Sequence, residues 1–324
     1  MIAEIVTRQA RPVLSIFSLF AALLLVIMSP NPAASYEMLI GTGPSGSFSF
    51  HSGKLLCRIF TKHDQEMTCS LSESTDPIDN LTNVQGGSLD LALVDSLLLE
   101  EAAAGRGPFQ YLDISYDRIR VVSPLYEVPL TLLVSTDAEL STVDQLPGKR
   151  INVGPFGSPQ NYLFKLFMQA QGWTEKMFPV VAELPSSMSQ DTFAFRQGDV
   201  QVLVHRGVHP NNVVTQLMKD TQASLIGFAN QGMVDLVTST PSLSRQEIGK
   251  ATYPSLTGTL STFGTTMTLV ASADTDDETI RSLVTALEQN TQSLQTMHSS
   301  LAAFTVDKKP EWFGSIKAHR AVAK

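Results

Sequence analysis

Two glycine-rich turns carry the groups best suited to holding a small anion. Gly41-Thr42-Gly43-Pro44-Ser45-Gly46 follows the short apolar strand Met38–Ile40 and precedes a helical stretch around Ser52–Lys62. Gly154-Pro155-Phe156-Gly157-Ser158 follows the strand Ile151–Val153 and leads into a helix running to Gln171, closed by Gly172. Such a turn gathers backbone N–H groups, small hydroxyls and the positive end of a helix dipole, which together suit a carboxylate. The Gly157 N–H and the backbone amides of Ser158 and Gln160 could point at such a group, with the Ser158 hydroxyl as a further donor, and Asn161 beside them is a candidate ligand-binding residue. The first turn has dinucleotide-fingerprint spacing, but no acidic residue closes a second strand about twenty residues on, so that reading fails. Either turn alone is equally well a tight strand-to-helix connection without a ligand. One in each half of the chain is the more specific signal.

The other reactive types fit catalysis poorly. Ser45 lacks the flanking residues of a Gly-x-Ser-x-Gly elbow, and no nucleophile has an adjacent base. None of the six histidines has the spacing of a metal pair; His205 and His209 are four apart, but Pro210 keeps that stretch out of a regular helix. Loop packing or ligand hydrogen bonding suits them better. Asp274, Asp276, Asp277 and Glu278 lack the glycine and the twelfth-position glutamate of a calcium loop, and they read as a helix start. Phe48 and Phe50 could stack on a ligand, although core packing is the commoner use of phenylalanine. The expectation is a binding protein with no metal, no cofactor and no catalytic residue.

The elements that must position these turns alternate. Met67–Leu71, Leu89–Val94, Leu130–Ser135, Val180–Leu184, Val200–Val204 and Met267–Ser272 read as strands, and Pro77–Gln85, Leu97–Ala104, Ser189–Gln197 and Asp276–Asn290 as helices. Strands separated by helices of this length imply βαβ units and a largely parallel sheet. The chain divides into two α/β units joined by two apolar crossing segments, Leu130–Ser135 and Thr266–Ala271. The Gly- and Thr-rich stretch Thr257–Thr268 interrupts the rhythm.

The chain has 324 residues, 43% hydrophobic and 17% charged, with a net charge of −8. That excludes a disordered chain, and the acidic balance argues against nucleic-acid binding. The N-terminus reads as a secretory signal over residues 1–35: Arg8 and Arg11 flank the apolar run Val13–Met28, and Ala33 and Ser35 place cleavage before Tyr36. At about 1.5 Å per residue the run reaches only ~24 Å, short of a ~30 Å hydrocarbon core. The two cysteines, Cys57 and Cys69, then lie in an oxidising compartment, where pairing is the default and would tie the first helix to the following strand.

With these residues in view, the chain resembles the TAXI family of solute-binding proteins, the extracytoplasmic receptors of one class of TRAP transporter, from about residue 38 to 305. The resemblance is carried in order by Ile40-Gly41-Thr42-Gly43, the Cys57/Cys69 pair, Glu73-Ser74-Thr75 with Asn80-Leu81, Leu89 to Ser96, Leu125-Tyr126, Leu146 to Gly154, Gly157-Ser158, Gln197 to Val200 and His209-Pro210-Asn211. It implies an α/β, two-lobed type II periplasmic-binding-protein fold with two hinge strands. Lobe 1 would comprise residues 36–131 and 268–324, and lobe 2 residues 132–267. It further implies a periplasmic receptor closing on a small, usually anionic solute and delivering it to TRAP-type integral membrane subunits. A sensor docking on a membrane signalling protein is the alternative, and an enzyme on the same fold comes third. The pocket implied by the resemblance is Thr42, Gly43, Ser45, Asp95, Ser96, Gly157, Ser158, Gln160 and His209.

Three departures bear on the ligand. The family's Tyr-Tyr-Pro is Ser49-Phe50-His51, and its Gly-Ser-Gly-Thr-Arg is Gly157-Ser158-Pro159-Gln160-Asn161. The glutamine of the strand-end motif is Asp95, which sets a negative charge where an anion would be expected. These changes disfavour glutamate or a simple dicarboxylate and point to a ligand with an amine facing Asp95, or to a more apolar one.

Overall fold

A computed structural model describes residues 36–186, 189–306 and 316–322; the expected signal segment lies outside the described residues. The first half opens with β1 (Tyr36–Thr42), α1 (Phe48–His63), β2 (Met67–Glu73), α2 (Pro77–Gly86), β3 (Leu91–Asp95) and α3 (Ser96–Ala104). The helices start where local chemistry supplies caps. The Ser47 hydroxyl accepts from the Phe50 N–H at α1, Asp76 accepts from Ile78 with Pro77 in the first turn of α2, and Asp95 accepts from Leu97 at α3. Gly87 and Gly105 end α2 and α3 in the left-handed conformation.

The second half holds β5 (Arg150–Asn152), α4 (Pro159–Ala170), β6 (Val180–Ala182), α5 (Gln190–Gln197), β7 (Val202–Arg206), α6 (Asn212–Thr221), β8 (Ser224–Ile226), α7 (Gln231–Ser239) and β9 (Ser244–Ile248). Two long strands, β4 (Ile119–Val134) and β10 (Leu260–Ser272), belong to both halves; α8 (Asp277–Gln289) and α9 (Thr291–Met297) then return to the first. The acidic run is the start of α8, capped by Asp276.

Strand order is β2-β1-β3-β10-β4-β7-β5-β6, with β8 on β4 and β9 on β10. β1 runs parallel to β2 and β3, and β5 parallel to β6 and β7, while β4 and β10 are antiparallel to each other. The C-terminal ends of β3 and β7 therefore meet where the two long strands cross. Met267 of β10 pairs with both Asp95 and Tyr126, and Arg206 pairs with Leu130. Each half has apolar layers on both faces of its sheet. Met38, Leu56, Phe60 and Leu283 fill one face of the first half, and Leu81, Leu99 and Val121 the other. Phe164, Phe167 and Phe228 lie on one face of the second half, and Leu203, Leu217 and Tyr253 on the other.

The crossing strands are far longer than the patterning indicated. Pro124 and Pro129 interrupt the strand signal of β4, since proline supplies no ladder N–H. Two register shifts, between Met267 and Thr268 and between Leu269 and Val270, accommodate the crossing. From Leu260 onward the Gly/Thr-rich stretch is strand, not an interruption. Gly264 is needed there: a Cβ would stand 2.3 Å from the Val128 carbonyl oxygen.

Cys57 on α1 and Cys69 on β2 form a disulfide with Cα atoms 5.3 Å apart. Closing a loop of this length removes about 3 kcal/mol of denatured-state entropy. The Cys57→Ser/Cys69→Ser protein is expected to lose about that much stability in urea unfolding; an unchanged midpoint would show the bridge to be energetically idle. No helix among the described residues is long and apolar enough to cross a membrane.

Candidate functional site

Where β3, β7 and β10 converge, three side chains from distant parts of the chain meet. Asp95 is the last residue of β3; its Oδ1 accepts from the Leu97 N–H at 3.0 Å, and its Oδ2 accepts from the Thr265 hydroxyl at 2.5 Å. Arg206, the last residue of β7, donates from Nη2 to Asp95 Oδ2 and to Thr265 Oγ1, the latter at 2.9 Å. The pair is nearly buried, with 12% of the Arg206 side chain and 7% of Asp95 exposed. Loss of water around the guanidinium pulls its pKa down to about 10, and its Nε has no hydrogen-bond partner among the described residues. A guanidinium at a strand end presents planar donors that pair with a carboxylate, here that of Asp95.

The space around it is small. A cavity of about 30 Å³, lined by Asp76, Leu98, Gly157 and Tyr162 together with Asp95 and Arg206, separates the halves here. That admits one or two water molecules and no organic acid. Adjacent contacts draw the halves together. Ser96 Oγ donates to the Ser242 carbonyl at 2.7 Å and accepts from the Thr266 N–H at 2.9 Å, and the Ser242 N–H donates to Glu100 at 3.1 Å. Asp95 does not stand as a free negative charge: Arg206 neutralises it.

The first glycine turn is largely self-satisfied. Thr42 is buried, its hydroxyl donates to the Gly43 carbonyl at 3.0 Å, and the Gly43 N–H donates to Ser49 Oγ at 3.0 Å. Ser45 is exposed. Phe48 packs edge-on against Tyr126 with ring centres 4.8 Å apart, and Phe50 is buried under the Lys54 ammonium.

In the second turn Gly157, in the left-handed region at φ 75°, lines the small cavity. The polar side chains beside it turn inward. Ser158 caps α4 by accepting from the Asn161 N–H at 3.2 Å, Gln160 donates to the Val204 carbonyl at 2.8 Å, and buried Asn161 donates to Gly154 and Glu183, both at 3.1 Å. The structure thus brings Asp95 and Gly157 to one cavity with Ser96 beside it, and leaves Thr42, Gly43, Ser45, Phe48, Phe50, Ser158, Gln160 and Asn161 off its lining.

His209 lies elsewhere, in a cavity of about 560 Å³ shared with Tyr126, Pro129, Leu243, Ser299 and Phe304. Its Nδ1 is 2.6 Å from the Tyr253 hydroxyl and its Nε2 3.3 Å from that of Thr131, so both ring nitrogens have partners within the protein. Burial pushes His205 down to about 4; burial, with the charges of His205 and His298, pushes His209 down to about 3. Both fall below the value of about 6.5 that the unfolded chain has, so as pH drops the unfolded state binds protons first. Stability is complete above about 6.5 and declines through the window down to the folded values. The melting temperature is expected to fall between pH 6.5 and 4, less steeply in His209→Gln; equal slopes in both proteins would contradict this.

Arg206 and Thr265 are the residues sequence reasoning passed over. The one signal was a cation two positions beyond the apolar run Val202–Val204, at the end of β7.

Residues 40–315 match the profile of the NMT1-like family. No curated protein matches the sequence significantly. Among solved structures, a TctC solute-binding protein from Polaromonas is 14% identical with a TM-score of 0.52, over 83% of this chain and 87% of that one. The periplasmic sulfonate-binding protein SsuA from Methylobacillus flagellatus KT is 13% identical with a TM-score of 0.51, over 81% and 70%. At these identities the likeness establishes the fold: α/β and two-lobed, of the type II periplasmic-binding-protein class.

Proposed function

The chain belongs to the NMT1-like family, and on that premise we propose that it is a periplasmic solute receptor that takes a small carboxylate-bearing solute between its lobes and hands it to a TRAP-type membrane transporter. The observation that carries the reading is Arg206, a desolvated guanidinium at the floor of the space between the halves. It offers a bidentate anion site there. Lobe 1 is residues 36–131 and 268–324, lobe 2 is residues 132–267, and residues 1–35 direct export. The solved neighbours named as solute-binding and sulfonate-binding proteins support a receptor on this fold.

Parting of the lobes widens the 30 Å³ cavity, and closure on the solute presents the surface a transporter recognises. Asp95, Ser96 and Gly157 border the solute with Arg206; of the other residues singled out in the sequence, Thr42, Gly43 and Ser158 supply only the frame. Native mass spectrometry of protein purified without refolding weighs any retained solute, and calorimetry with a panel of mono- and dicarboxylates and sulfonates ranks its class. Binding of apolar or cationic compounds with no response to any anion would overturn the reading.

A further inference from the structure

We propose that Asp95 is a built-in stand-in for the ligand's anionic group: it occupies Arg206 in the empty protein, holds the halves together, and must be displaced before an anion binds. This rests on the receptor reading of the preceding section and adds to it a residue that sets affinity. The geometry is specific. Asp95 Oδ2 takes both the Arg206 Nη2 donor and the Thr265 hydroxyl, which are the contacts an incoming carboxylate or sulfonate needs. Asp95 belongs to the first half through β3 and α3, Arg206 to the second through β7, and Thr265 to the crossing strand β10. The bond therefore joins the two halves directly and breaks when they separate.

An external anion meets two costs: it must replace an intramolecular partner already in place, and it must sit beside the Asp95 carboxylate afterwards. Asp95 keeps its position after release, because its Oδ1 still caps α3 through Leu97. Like charges side by side repel and weaken binding. A residue that competes in this way keeps affinity for simple anions low and favours solutes that bring a compensating donor.

Asp95→Asn is the informative substitution. Asparagine caps a helix as well as aspartate does, so α3 is retained while the charge is lost. Both native cysteines are in the disulfide, so spin labels attach only at introduced cysteines. Tyr111→Cys in the first half and Phe156→Cys in the second replace side chains that are 88% and 82% exposed. In ligand-free protein the label distance is expected to be short and narrow for the parent and longer and broader for Asp95→Asn. Arg206→Gln, which breaks the bond from the other side, is expected to shift it in the same direction.

Sulfate and succinate, titrated by calorimetry, are expected to bind Asp95→Asn at least about tenfold tighter than the parent. Identical label distances in all three proteins, or anions binding Asp95→Asn no tighter than the parent, would overturn the proposal. If no anion binds any variant yet the distances shift, Asp95 is a latch and the anion-receptor reading is the part that fails. If anions bind the parent but neither distance nor affinity responds to Asp95→Asn, the receptor stands and the stand-in role is lost.

Discussion

Arg206→Ala is expected to abolish the proposed anion binding while leaving a folded protein. The guanidinium is the cation at the floor of the space between the halves, and a charged hydrogen-bonded partner truncated in such a place costs about 2–5 kcal/mol of binding, or roughly thirtyfold to several thousandfold. The fold survives because the Asp95 carboxylate need not remain buried. A permanently buried charge stripped of its partner costs about 3–5 kcal/mol, but here separation of the halves lets water reach Asp95, which caps that loss. Arg206→Lys restores only part of the affinity, since an ammonium cannot reproduce the planar fork that bridges two acceptors. Calorimetry with carboxylates and sulfonates, alongside urea unfolding, reads both effects. Full affinity in Arg206→Ala would move the site elsewhere, with the 560 Å³ cavity at His209 the next place to look.

Phe167→Ala is expected to be the most destabilising single truncation in the second half, at about 3–5 kcal/mol. Phe167 is fully buried at the middle of an aromatic group, edge-on to Phe228 at 4.7 Å and to Trp173 at 5.7 Å, and stacked on Phe263 at 5.8 Å. Partners so rigid close poorly around a void. The residue also links α4, whose first turn borders the cleft, to the crossing strand β10 that carries Phe263. A shift of the denaturant midpoint corresponding to less than about 1 kcal/mol would mean the group repacks. Phe193→Ala, at a side chain 63% exposed, provides the contrast and is expected to stay within about 0.5 kcal/mol.

What could be read directly from the residues was local. The strands before the glycine turns, the helix beginning at Pro77, the disulfide and the α8 start follow from chemistry within a short stretch of chain, whereas the cap at Ser47 was missed and Ser158, read as a ligand donor, caps α4. The crossing strands were under-read because Pro124, Pro129 and Gly264 carry the signature of loops, while their pairing depends on partners more than a hundred residues away. The segment holding α6, β8, α7 and β9 was not resolved into elements at all: α6 and α7 are short, and β8 has three residues, too few to show a period. The site divided in the same way. Backbone turns were visible as motifs, but the pairing of Asp95 with Arg206 spans 111 positions and joins two lobes. No spacing rule encodes that. Asp95 consequently looked like an obstacle to anions when read alone, and only its neighbour shows that the charge is already matched.

β10 sits between β3 and β4, yet it is made after nearly the whole of the second half. During synthesis the inserted unit can therefore assemble while the first remains without its middle strand, with β3 and β4 each exposing an unfilled ladder. The strands of the first half are thus made before those of the second and finished after them. A chain built this way stays open to a chaperone until β10 emerges.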